Sequence, residues 1–155
     1  MTTTSLPIRP TSAADLAALV GTELGPTEWY EVTQERVNAF ADATGDHQWI
    51  HVDVERAAAS PLGGTIAHGL LSLSLGPHLL DQLVALDGFT HSLNYGYNKV
   101  RFITPLPVGS RIRMRAQVTS ATEVTGGIQL AISQTIELEG SDKPVMVAES
   151  LARLA

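Results

Sequence analysis

No cysteine occurs among the 155 residues. Disulfides, thiol catalysis and thiolate metal sites are therefore excluded. Positive charge is scarce as well: ten Lys and Arg stand against sixteen Asp and Glu, a formal net charge of −6. That balance argues against nucleic acid or an anionic membrane as the main partner, although a few local cations can still hold an anionic ligand. The longest apolar stretch, Ile66 to Leu86, is broken by His68, Pro77, His78, Asp81 and Gln82, so it reads as a buried core helix and not as a membrane span. Met1 to Pro7 lacks a basic segment followed by an apolar one, so no secretory signal is expected and the cytoplasm is the expected compartment.

Motif signatures are missing too. There is no G-x-G-x-x-G, no Walker-type loop and no G-x-S-x-G elbow, which leaves nucleotide-binding and serine-hydrolase readings without support. The five histidines are His47, His51, His68, His78 and His91. His47 and His51 are four apart, but Gln48 to Ile50 reads as lying outside a helix, so the pair lacks a shared helical face. No metal and no cofactor is expected. Ser72 and Ser74, inside the apolar segment, read as packed, backbone-bonded residues and not as nucleophiles.

What is present suits one soluble domain, 44% hydrophobic and long enough for a real core. Residues 1–11 read as a loose arm. Ser12 caps a first helix carrying Leu16, Leu19 and Val20, which Gly21 ends; Thr22 to Pro26 is a connector and Glu28 to Val32 a short strand. Thr33 caps a second helix with Val37, Phe40 and Ala41 on one face and Gly45 as its stop. Asp53 caps a short helix to Ala59. Gly63-Gly64 leads into the long helix, apolar on nearly every side, which Gly76-Pro77 is expected to kink or cut. The period then changes to two. Strands follow over Ser92 to Phe102 (with Gly96 as a bulge), around Ile112 to Val118 with Arg111, Arg113 and Arg115 as a basic outer face, around Ile128 to Leu138, and from Val145 to Leu154. Helices first and then four strands in a meander make the class α+β. Wrapping an antiparallel sheet about the long helix buries it, and the sheet edge left open invites a second copy of the chain.

The stretch from Asp46 to Gly69 carries the chemistry. Asp46 follows a helix stop, and His51 lies five residues on, across a bend. Such a pair can converge on one water, with imidazole and carboxyl exchanging protons; the bland alternative is an exposed acid beside a core histidine. A carboxylate at the negative end of a helix gains nothing from its dipole, so in a dry setting Asp46 should hold its proton more tightly. Gly69 leaves the first N–H groups of the next helix open to a carbonyl oxygen; the alternative is that it merely permits close packing. His68 equally suits a structural role, bonding a loop.

Taken together, Gly45-Asp46-x-x-x-x-His51, Ala57 and Ile66-Ala67-His68-Gly69-Leu70 resemble the MaoC-like family of (R)-specific enoyl-CoA hydratases, with their hydratase 2 motif. The run Phe40 to His51, and Asn94 to Phe102 followed by Pro107-Val108-Gly109, are similar to its NodN-like branch. The resemblance spans Leu16 to the C-terminus. It implies a hot-dog fold (a long helix wrapped by an antiparallel sheet), a homodimer, and reversible syn addition of water to a trans-2-enoyl thioester of CoA or an acyl carrier. It further implies that Asp46 and His51 hold the water and that the Gly69 N–H polarises the thioester carbonyl. Two departures stand out: Gln48-Trp49 replaces the family's Asn-Pro, which makes Trp49 a candidate wall of the acyl pocket, and Pro77 stands where some hydratases use a serine. His68, Asn98, Lys99 and Arg101 are further substrate-binding candidates, the two cations for CoA. A thioesterase on the same fold and a non-catalytic acyl-binding subunit remain as alternatives; the Asp-x4-His spacing favours hydration, and a scaffold needs none of Asp46, His51 and Gly69.

Overall fold

The computed structural model describes residues 7–155. In chain order the elements are α1 (Ala13–Leu19), β1 (Glu23–Leu24), β2 (Tyr30–Glu31), α2 (Gln34–Thr44), α3 (Trp49–Val52), α4 (Val54–Ala58), α5 (Gly69–Ser74), α6 (Gly76–Leu80), β3 (Ser92–Phe102), β4 (Arg111–Val124), β5 (Gly127–Leu138) and β6 (Met146–Leu154). One antiparallel sheet in the order β1-β4-β5-β6-β3, with β2 also paired to β4, wraps around α5 and α6. This is the hot-dog architecture that the resemblance implies.

The helix boundaries follow their caps. Ser12 Oγ accepts from the Asp15 N–H, Thr33 Oγ1 from Arg36 and Asp53 from Arg56, each satisfying an N–H that has no acceptor within its helix. On the sheet, alternation decides the buried face. Ile112, Met114, Ala116 and Val118 of β4 meet Leu130, Ile132 and Ile136 of β5 and Met146 and Ala148 of β6 in the core, where Leu71 and Leu79 of the central helices pack against them.

Several expectations need correction. The sheet is not a simple meander: β3 pairs with β6 and not with β4. The connection between β3 and β4, residues 103–110, is too long for a tight turn. It runs beside the segment before α5 instead, where the Ala67 N–H reaches Leu106 O at 2.8 Å and the Val108 N–H reaches Thr65 O at 2.9 Å. The central helix is shorter than residues 66–86 and is interrupted at Leu75, where Gly76-Pro77 restarts it. Nor is it buried all round, since Leu70 is 60% exposed.

The expected connector contains β1, and the next strand shrinks to Tyr30–Glu31. Between them Thr27 bonds Met114 through both its N–H and its hydroxyl oxygen, at 2.9 Å each. Residues 7–11 are docked and not loose: the Ile8 N–H donates to Leu83 O at 3.0 Å, and the Ala85 N–H to Ile8 O at 2.9 Å. Gly88 allows this approach, because a Cβ there would lie 2.6 Å from Pro10 O. Residues 1–6 of the expected arm lie outside the described residues. The basic face of β4 is paired with acids beside it, with Arg113 and Arg115 sharing Glu137 and Arg111 pairing with Glu139.

Strand β3, eleven residues long, is exposed along much of its length and carries Leu93 and Tyr95 at the surface. The expected bulge is there, with a register shift between Asn94 and Gly96. Among the described residues, no helix is long and apolar enough to cross a membrane.

Leu79, fully buried where α6 meets the sheet, tests this packing. Leu79→Ala is expected to cost about 2–5 kcal/mol, read as a lower denaturant midpoint with an unchanged slope.

Candidate active site

Two segments meet beside the start of α5. The first is the bend after α2. Gly45 ends that helix in the left-handed region (φ 77°), its N–H on Ala41 O at 2.8 Å. Asp46 to Gln48 then turns into α3, a single turn that the sequence did not announce and that carries His51. The second segment is Thr65 to Gly69.

Five hydrogen bonds join the two segments to each other and to α2. The Ile66 N–H donates to Ile50 O at 3.0 Å, and His51 Nδ1 donates to Ile66 O at 2.6 Å. His68 Nε2 donates to Asp46 O at 2.9 Å. Gln34 of α2 clamps both sides: its amide NH2 donates to His51 O at 2.7 Å, and its carbonyl accepts from Thr65 Oγ1 at 2.6 Å.

These bonds fix tautomers. A carbonyl only accepts, so Nδ1 of His51 carries the proton, and Nε2 of the neutral ring is left as an acceptor. By the same logic His68 is protonated on Nε2, and its Nδ1 is buried without a partner. The two imidazoles stack with centroids 3.8 Å apart and planes 25° apart, and Phe40 covers the other ring, His68, at 4.9 Å. His51 is 7% and His68 3% exposed.

One ring nitrogen from each histidine and a carboxylate oxygen of Asp46 lie within 4.8 Å of one another. Three such ligand atoms suggest a metal, but the geometry does not suit one. Lone pairs of stacked rings run side by side and do not converge on an ion about 2.0–2.1 Å away.

His51, Gly69, Ser72, Phe102 and Val145 line a cavity of about 270 Å³ next to this cluster. The Gly69 N–H is the first of α5 and has no acceptor within the helix. Gly69 also serves close packing: a Cβ there would lie 3.1 Å from three atoms of the Phe102 ring.

The expected site residues divide clearly. Asp46, His51, His68 and Gly69 come together. Asp46 is exposed, so this chain alone does not give it a dry setting. His68 takes the loop-bonding role. Trp49 is half-buried with the Arg56 guanidinium 4.3 Å over its ring, and it does not line the cavity. Asn98 is exposed and donates to Glu149 at 2.6 Å, Arg101 donates to Val100 O at 2.7 Å, and Lys99 is exposed; none of the three lines the cavity. Ser74 is backbone-bonded as expected, to Leu70 O at 2.7 Å. Ser72 is packed but has no hydrogen-bond partner, against expectation. Gln34 and Ser72 escaped sequence reasoning, because nothing local distinguishes a Gln in a first helical turn or one Ser among leucines.

Comparison with known proteins bears on the same stretch. The family described as MaoC like domain matches residues 15–139. The 3-hydroxyacyl-thioester dehydratase Z of Mycobacterium tuberculosis is 53% identical over 143 residues, covering 92% of this chain and 95% of that protein. Nodulation protein N of Rhizobium meliloti is 42% identical over 144 residues, covering 91% and 89%. Among solved structures, the (R)-hydratase from A. caviae involved in PHA biosynthesis superposes with a TM-score of 0.73 at 24% identity, covering 88% of this chain and 96% of that one; at that identity it speaks for the fold.

At the rim of the site, His47 Nε2 meets Asp42 Oδ1 at 2.8 Å, and this bond raises the His47 pKa above the ordinary value. The pair's contribution is therefore fully present below the ordinary histidine pKa and is lost as pH rises through the raised one. An NMR titration is expected to place His47 above 6.5, and Asp42→Asn to bring it back down.

Proposed function

The chain belongs to the MaoC-like dehydratase family of hydro-lyases, and from that premise we propose that it catalyses reversible syn addition of water to a trans-2-enoyl thioester of CoA or an acyl carrier, giving the (R)-3-hydroxyacyl thioester. The observation that carries this reading is the bond from His51 Nδ1 to Ile66 O. It leaves the other ring nitrogen free to accept a proton, in a ring that lines the cavity and stands close to the Asp46 carboxylate.

In the hydration direction, His51 Nε2 takes a proton from water as the water oxygen bonds to C3. The electron pair of the C2–C3 double bond moves toward the thioester oxygen, where the Gly69 N–H stabilises the enolate. Asp46, which enters the step as the carboxylic acid, then delivers its proton to C2. The pair ends with the proton on His51 and the charge on Asp46, and one proton transfer between them restores the start; the two behave as one coupled unit. Dehydration runs the same steps backwards. Acid and base on one side of the substrate account for syn addition. The thioester relative at 53% identity supports the substrate class.

We further propose a homodimer. The long exposed edge of β3, with Leu93 and Tyr95, is the kind of strand that an identical partner covers. Sedimentation is expected to give twice the 16.5 kDa chain mass, and Leu93→Lys with Tyr95→Lys to return it to monomer.

The activity is tested by following loss of enoyl absorbance with crotonyl-CoA and a longer enoyl-CoA, together with a free-thiol assay and chiral analysis of the product. Hydration to the (R) product is expected, reduced at least about a hundredfold in both Asp46→Asn and His51→Ala. Thiol release without hydration would instead make the protein a thioesterase.

A further inference from the structure

Two serines lie two residues apart on α5 and end differently. Ser74, near the surface, returns its hydroxyl to Leu70 O, four residues back, as helical serines commonly do. Ser72 does not. It is 1% exposed, its Oγ has no hydrogen-bond partner, and it lines the same cavity as His51 and Gly69. A buried hydroxyl without a partner weakens folding, and none of the chain's own acceptors, the unpartnered His68 Nδ1 included, lies within hydrogen-bond distance of it, so its presence calls for an acceptor brought into the cavity.

Direction narrows what that acceptor is. Helical side chains lean back over the preceding turn, and residues three apart share a face. Ser72 therefore reaches toward Gly69, the residue whose N–H is open. A single oxygen in the cavity can receive both donors, whereas the acyl tail of a thioester offers a hydroxyl nothing to bond.

We propose that the Ser72 hydroxyl is a second hydrogen-bond donor to the substrate's thioester carbonyl oxygen, acting beside the Gly69 N–H. This rests on the hydro-lyase reading for the identity of the substrate. Two donors hold the developing enolate more strongly than one, and they also fix the rotation of the thioester so that C2 and C3 face the proton-transfer pair. Ser72 binds and polarises; it takes and gives no proton.

The test separates polarisation from packing. In Ser72→Ala, kcat for crotonyl-CoA hydration is expected to fall about a hundredfold, the order seen when one oxyanion donor is removed, with KM nearly unchanged. The unfolding midpoint should be no lower than that of the unsubstituted protein, because no internal hydrogen bond is lost. The decisive measurement uses crotonyl-CoA labelled with 13C at the carbonyl, bound to His51→Ala so that it does not react. Adding Ser72→Ala should move the carbonyl stretch to higher frequency. A stretch that Ser72→Ala leaves in place overturns the proposal whatever happens to kcat, since a packing or acyl-chain role leaves the carbonyl untouched. Failure of the unsubstituted protein to hydrate any enoyl-CoA overturns the hydro-lyase reading instead, and the stretch still decides what Ser72 does to a bound thioester.

Discussion

The hydrogen bond from His51 Nδ1 to the Ile66 carbonyl is the constraint on which the rest depends. It selects the tautomer, and so decides which nitrogen is left free to accept a proton. It also joins a bend after one helix to the turn before another, so the candidate site forms only when both segments are in place. The elements around it secure that closure. Gly45 stops α2 in time for the bend, Gln34 reaches from α2 to both segments, and the β3–β4 connection bonds Thr65 and Ala67 from the other side. A histidine on an exposed loop would sample both tautomers and many orientations; here stacking on His68 and burial remove that freedom.

Local signals carried much of the fold. Ser12, Thr33 and Asp53 announced three helix starts through their caps, Gly45 announced a stop, and Gly76-Pro77 announced the break in the central helix. Alternation from Ile112 to Val118 and from Ile128 to Leu138 gave both strand identity and buried face. Each of these depends on residues within one or two turns, so each is written in the chain at short range. The strand order was not. Pairing β3 with β6 depends on where a long connection can travel, and no alternation pattern records that. The same holds for Ile8, whose place is set by backbone groups about 75 residues away, and for Glu137 and Glu139, which meet a row of arginines only once the register is known.

The candidate site divides on similar lines. Asp46, His51 and Gly69 were legible because their spacing and the glycine together form a recognisable pattern. Gln34 and Ser72 were not, since a bond to a distant carbonyl and the absence of a bond are both properties of packing. The candidates proposed for their charge alone, Lys99 and Arg101, are on the exposed edge strand and do not line the cavity. Composition identifies a cation but not its neighbours.

The ties across the site have one more consequence. Ile50, Ile66, Asp46 and His51 all take part as acceptors through main-chain oxygens. A peptide carbonyl is the same whatever side chain it bears. The Asp46 carboxylate hangs from a backbone that His68 holds by its carbonyl, so the reactive group and the anchor occupy one residue without depending on each other. A lineage could exchange the acid for another group and inherit the frame intact, whereas exchanging His68 or Gln34 would loosen the frame and leave every reactive atom in the sequence. Variation in reaction type and variation in architecture are thus assigned to different positions, even where those positions touch.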